Sequence, residues 1–149
     1  MRRKCPGLKF STEAMAFEKW EVRGEKWEMI KGFRDLVIYQ KSYELSIRVH
    51  ALTLKYPEYE KYEIGSQIRR ASMSVPLNIA EGYGKKESIA DFKRFLRMSV
   101  GSCNDEIEVL MDMSYDLGYI NEDTHKEITE QYIALRKQII STIEKWKNG

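Results

Sequence analysis

From about residue 33 onward, apolar positions recur at steps of three and four, the rhythm of one helical face at about 100° per residue. A first segment, from about Phe33 to Tyr56, carries Leu36, Tyr39, Tyr43, Ile47, Ala51 and Leu54 in this spacing. Tyr56-Pro57 should end it, because the residue before a proline is pushed out of the helical region. Glu58, Glu60 and Glu63 open a second segment, where carboxylates suit the positive end of a helix dipole. Its stripe is Ile64, Ile68, Ala71 with Ser72, Val75 and Ile79, running to about Gly82. Pro76 falls inside this stripe and the phase does not slip across it. A turn would reset the phase, so the pattern predicts one helix, kinked where the Pro76 ring meets the Ser72 carbonyl. Such a kink costs about 3 kcal/mol, roughly what burying one or two aliphatic side chains returns. Gly82-Tyr83-Gly84 is then the expected turn.

The third segment has capping signals at both ends. Ser88, with Asp91 three positions on, reads as an N-cap, and Gly118 is the residue expected just past the C-terminus. Between them Leu96, Cys103, Leu110 and Leu117 repeat every seven residues with Phe92 and Met113 on the companion position, the seam of a bundle helix. Glu106 breaks that companion position, so there the face should reach solvent or a partner. Asn121 caps a fourth segment whose first turn holds Glu122 and Asp123 and whose inward stripe is Ile128, Tyr132, Leu135, Ile139, Ile143 and Trp146. Four long helices joined by short turns must be antiparallel neighbours. The expected fold is all-α, an antiparallel up-down four-helix bundle with a proline-kinked second helix over residues 32–149. Residues 1–31 form an N-terminal extension, flexible or partly helical, with Glu13 to Trp27 able to make a short amphipathic helix. The extension also reads as upstream sequence ahead of a start at Met29.

Composition narrows the chemistry. In 149 residues, 42% are hydrophobic and 32% charged, with three prolines and nine glycines, which suits one soluble helical domain with little material for long loops. No apolar run approaches the roughly 18 residues of a membrane span, and Met1-Arg2-Arg3-Lys4 is followed by no signal-peptide core. These features point to the cytoplasm. Cys5 and Cys103 make no disulfide framework, and with the separated His50 and His125 they make no metal set; no metal or other cofactor is expected. Glu81 or Asp91 could act as an acid or base, but no nucleophile or glycine-rich phosphate loop accompanies them. No catalytic residue is assigned.

Arg69-Arg70-Ala71, Ser74-Val75-Pro76 and Asn78-Ile79-Ala80-Glu81-Gly82 together resemble the signature of the bacterial four-helix-bundle proteins encoded in intervening sequences of ribosomal RNA genes. Phe33, Leu36, Ser88, Asp91-Phe92, Arg94-Phe95-Leu96, Gly101-Ser102 and Leu117-Gly118-Tyr119-Ile120 extend the likeness over most of the chain. The resemblance implies a bundle that assembles as a homopentamer and carries no enzymatic activity. A related branch, the accessory proteins of diversity-generating retroelements, implies a reverse transcriptase and nucleic acid as partners.

The net charge of +2 hides a separation along the chain. Gln67 to Arg97 holds seven cations against three carboxylates, whereas Gly101 to Glu130 holds one lysine against nine carboxylates. Up-down topology would gather Lys31, Arg34, Lys85, Lys86, Lys93, Arg94, Lys145 and Lys147 at one end, and Glu58, Glu60, Asp116, Glu122 and Asp123 at the other. Dipole matching explains several of these, but not Lys93, Arg94 and Arg97 in opening turns, where the dipole weakly opposes cations. Lys85, Lys86, Lys93, Arg94 and Arg97 are therefore candidate ligands for RNA or DNA, with a merely solvated face as the other reading. Arg70, Ser74, Asn78 and Glu81 form a polar stripe beside the apolar face, either an intramolecular network or a subunit contact. Two functions follow: an oligomeric scaffold binding RNA or DNA through its basic end, or an accessory subunit docking a protein such as a reverse transcriptase.

Overall fold

The computed structural model describes residues 30–102 and 106–146, and every regular element among them is helical. The helix expected over Glu13 to Trp27 lies outside the described residues, as do Cys5, Cys103 and Lys147. A 3-10 turn, Phe33–Asp35, leads into α1 (Val37–Thr53). There follow α2 (Glu58–Lys61), α3 (Ile64–Gly84), α4 (Ile89–Gly101), α5 (Ile107–Asp116) and α6 (Glu122–Lys145). Helix α3 lies between α1 on one side and α4 with α5 on the other, and α6 packs on α1, α4 and α5. Gly82 abuts Phe95 while Ser74 meets Ser102, so α3 and α4 run in opposite directions. His125 with Asp112, and Arg136 with Glu108, show the same for α5 and α6.

Pro76 is buried inside α3, which continues unbroken on both sides of it. The stripe Ile68, Ala71, Ser72, Val75 and Ile79 is buried as expected. Two details of this segment differ from the pattern. Glu58 and Glu60 open a separate single turn, α2, and Glu63 stands at the N-cap of α3. Arg69 explains the break: its guanidinium donates to the Lys61 carbonyl at 2.6 Å and to Thr53 Oγ1 at 2.9 Å, tying the ends of α1 and α2 to α3. Gly82, moreover, is helical and buried rather than part of a turn, and the chain turns instead over Lys85 to Glu87, ahead of the α4 N-cap Ser88.

Both expected N-caps form: Ser88 Oγ accepts from Asp91 N at 3.3 Å and Asn121 Oδ1 from Thr124 N at 2.8 Å. Gly118 takes φ +79°, the left-handed conformation that favours glycine after a helix. The predicted seam holds for Phe92 and Leu96 and then fails. Leu117 and Met113 are exposed and Leu110 is half-buried, while Ile107, Met111 and Ser114 are inside. Three inward positions have moved one residue along, from 106 to 107, 110 to 111 and 113 to 114. Ser102 and Glu106 are π-helical, and a π turn inserts one residue into the helical count, setting the phase back by about 100°. Glu106 is exposed, as the broken pattern implied.

Helix α1 shows a similar offset. Ile47 and Leu54 are about half exposed, and the buried line runs through Ile38, Ser42, Leu45, Val49 and Thr53. Ser42 and Thr53 can be inside because each hydroxyl donates to a carbonyl of its own helix, Tyr39 and His50 respectively. The line towards the core is thus partly written in small hydroxyl residues. Lys41 and Glu44 are also largely covered. Burial lowers the Lys41 pKa below the usual 10.5, with Glu44 opposing the shift. The unfolded chain therefore holds this proton more tightly than the folded one. The resulting penalty is in force below the folded pKa and lifts as pH rises through it towards 10.5. Lys41→Met is expected to raise the urea midpoint at pH 7 and to flatten the gain in stability towards about pH 10. A lower midpoint at pH 7 would show that the contacts of Lys41 outweigh its desolvation.

Candidate nucleic-acid interface

Three aromatic rings bring one end of the molecule together. Phe92, fully buried at the start of α4, meets Tyr83 of α3 edge-on at 6.4 Å and Trp146, after α6, at 4.6 Å. The start of α4, the end of α3 and the end of α6 are therefore neighbours. The start of α1 joins them, because its far end, at Thr53, bonds Arg69 near the start of α3. Lys31, Arg34, Lys85, Lys86, Lys93, Arg94 and Lys145 thus share one end, as the topology required.

Four of the cations at this end, Arg34, Lys85, Lys86 and Arg94, rest on rings. Lys85 Nζ stands 4.6 Å and Arg94 Cζ 4.9 Å from the centre of the same ring, Phe95. Lys86 Nζ is 4.3 Å from the Tyr83 ring and donates to its hydroxyl at 2.9 Å, and Arg34 lies over Phe33 at 4.6 Å. Each such contact is worth about 0.5–1 kcal/mol at an exposed site, enough to narrow the range of a long side chain. Lys85 also pairs with Glu81 at 3.3 Å and Arg94 with Asp91 at 3.7 Å. Both pairs are exposed and worth at most about 1 kcal/mol, so a polyanion can compete for these cations. Arg97 is exposed and Lys93 half-buried, and neither has an ion-pair partner among the described residues.

The polar stripe on α3 divides in two. Ser74 Oγ lies 2.7 Å from both the Ala71 carbonyl and Ser102 Oγ, and Asn78 Nδ2 donates to the Ser74 carbonyl at 2.8 Å. Those two residues belong to an intramolecular network, completed by the fully buried Ser99, whose hydroxyl donates to the Val75 carbonyl at 3.1 Å. Arg70 and Glu81 stand outside it. Arg70 is exposed beside an open cleft of about 480 Å³ lined also by Gln67, Glu106, Val109 and Leu110, and Glu81 faces Lys85. Met73 and Leu77 are exposed on the same outer side of α3. Sequence reasoning missed Ser99 and had Ser102 only as part of the family likeness, not as a partner of Ser74, and it missed that the rings of Tyr83 and Phe95 lie under the cations. Their spacing beside lysines and arginines was the available signal.

The opposite end is built differently. Tyr119 meets Tyr56 at a tilt of 43° with ring centres 5.4 Å apart, and its hydrogen bond with Tyr59 holds its pKa above the usual 10.0. Tyr59, Tyr62 and Tyr115 are exposed there, with Leu54 and Leu117. His125 meets the Asp112 carboxylate at 2.7 Å. Among the described residues no group of three or more His, Cys, Asp or Glu side chains could hold a metal ion, and no helix is long and apolar enough to cross a membrane.

Fold and site together define a small all-helical protein with cations gathered at one end. The chain belongs to the 23S rRNA-intervening sequence protein family, whose model matches residues 34–141. Among solved structures it is similar to a protein of unknown function from the S23 ribosomal protein family of Bacteroides thetaiotaomicron VPI-5482. That likeness has a TM-score of 0.64 and 25% identity, covering 73% of this chain and 100% of the other. No curated protein matches.

Proposed function

We propose that the protein is a non-enzymatic, self-associating scaffold of the cytoplasm that binds RNA or DNA through its basic end. In this reading the helices form an antiparallel four-helix bundle with α3 bent at Pro76. The observation that carries it is the set of cations at the α3–α4 turn, two of them on one ring and paired, among the described residues, with the solvent-accessible carboxylates of Glu81 and Asp91. Arg70, with exposed Met73 and Leu77 beside it, suits a contact between copies of the chain, a homopentamer by the family resemblance. In a ring of subunits pointing the same way, the basic ends would share a rim and their fields would add.

Binding to a structured RNA should fall by about two to three orders of magnitude between 50 and 200 mM salt, as expected for four or five phosphate contacts. Fluorescence anisotropy across that range is the test, and no binding at 50 mM would remove the proposal. The exposed Tyr59, Tyr62 and Tyr115 favour a second reading, since tyrosine is enriched where proteins meet. There the chain is an accessory subunit, for example of a reverse transcriptase. A protein partner retained in stoichiometric amount after nuclease treatment separates this reading from the first.

A further inference from the structure

The rings beneath the cations of the α3–α4 turn are covered, whereas Phe33 and Trp146 at the same end are half-buried. Phe92 is fully buried, Phe95 is 7% exposed beneath Lys85 and Arg94, and Tyr83 is 8% exposed beneath Lys86. The exposed tyrosines lie at the other end, beside Tyr119 and His125. This distribution bears on what kind of nucleic acid fits. Proteins that hold unpaired strands combine a charged groove with exposed aromatic faces on which bases stack. Among the described residues this end offers cations narrowed in range by the covered rings beneath them, and no fully exposed ring.

The cations are also spaced. Lys85 Nζ and Arg94 Cζ, at 4.6 and 4.9 Å from one ring centre, can be no more than about 10 Å apart. A duplex presents one phosphate charge per about 1.7 Å of its axis on a stiff frame, so a held pair of cations finds phosphates without ordering a flexible strand. Resting on the nucleic-acid reading above, we infer that this end takes the phosphate backbone of a duplex, RNA or DNA, in preference to an unpaired strand, and reads shape and charge rather than bases.

The test uses the full chain at low salt and three fluorescent probes with equal numbers of phosphates: an RNA duplex, a DNA duplex and oligo(U). At least one duplex should bind about tenfold more tightly than oligo(U), and permuting its base sequence should leave its affinity within about twofold. Whichever duplex binds more tightly names the source of the backbone. Lys85→Gln with Arg94→Gln should weaken the duplex complex while the helical circular dichroism is retained. Oligo(U) binding as tightly as both duplexes, or a tenfold dependence on base sequence, would overturn the inference while leaving the nucleic-acid reading in place. Failure of all three probes would remove both.

Discussion

Gly82→Ala is expected to destabilise the fold by about 1–3 kcal/mol, although the same change inside a helix ordinarily adds up to about 1 kcal/mol. A Cβ at residue 82 would stand 2.7 Å from Phe95 Cβ and 3.1 Å from Phe92 Cδ2. Phe95 Cβ is fixed to its own backbone and cannot swing away, so α3 and α4 would have to part. Gly84, two residues on, supplies the control. A Cβ there meets nothing within 4 Å, and Gly84→Ala should leave stability unchanged or raise it slightly. Opposite signs from one substitution at two nearby helical glycines would be read in guanidinium unfolding followed by far-ultraviolet circular dichroism. Equal effects at both positions would show that helix propensity, not the close approach of α3 to α4, governs Gly82. Because Phe95 also underlies Lys85 and Arg94, the parted helices should bind nucleic acid more weakly as well.

Gly82 also marks where the sequence stopped being legible. A glycine pair around Tyr83 reads as a turn, since glycine is permissive in either hand. What decided its role was the facing residue on another helix, which no local pattern contains. The α3 stripe could be read through Pro76 because phase is a property of the segment itself, and the caps at Ser88, Asn121 and Gly118 were legible for the same reason. The line along α5 failed by one residue because a heptad count assumes a constant turn. The warning was present in Glu106, a charge on a companion position followed by Ile107. Taking Ile107 as the inward residue and counting onward gives Met111 and Ser114, the positions that are buried. In α1, hydropathy pointed to Ile47 and Leu54, whereas closeness of packing chose Ser42 and Thr53. The cation cluster was legible as topology plus charge. The rings that hold it were not, because they depend on side-chain directions at helix ends.

Neutralising Lys85, Lys86, Lys93, Arg94 and Arg97 together, each to Gln, should weaken RNA binding at about 0.1 M salt by roughly three orders of magnitude. Each phosphate contact releases nearly one counterion, worth up to about eightfold in affinity at that salt. Five full contacts would exceed three orders, but Glu81 and Asp91 already engage Lys85 and Arg94 in part. The slope of log affinity against log salt should fall by three to four at the same time, which a loss of folding would not produce. All five side chains lie at the surface or half-buried, so the variant should keep its helical signal. Neutralising Glu58, Glu122 and Asp123 at the far end is the matched control: it raises the net charge and should strengthen binding only slightly, since these carboxylates are remote from the basic end and screened beyond roughly 10 Å. An equal gain or loss from either end would mean that total charge, not the arrangement at the α3–α4 turn, sets the affinity. A slope that stays unchanged in the five-residue variant would place the phosphate contacts elsewhere on the chain.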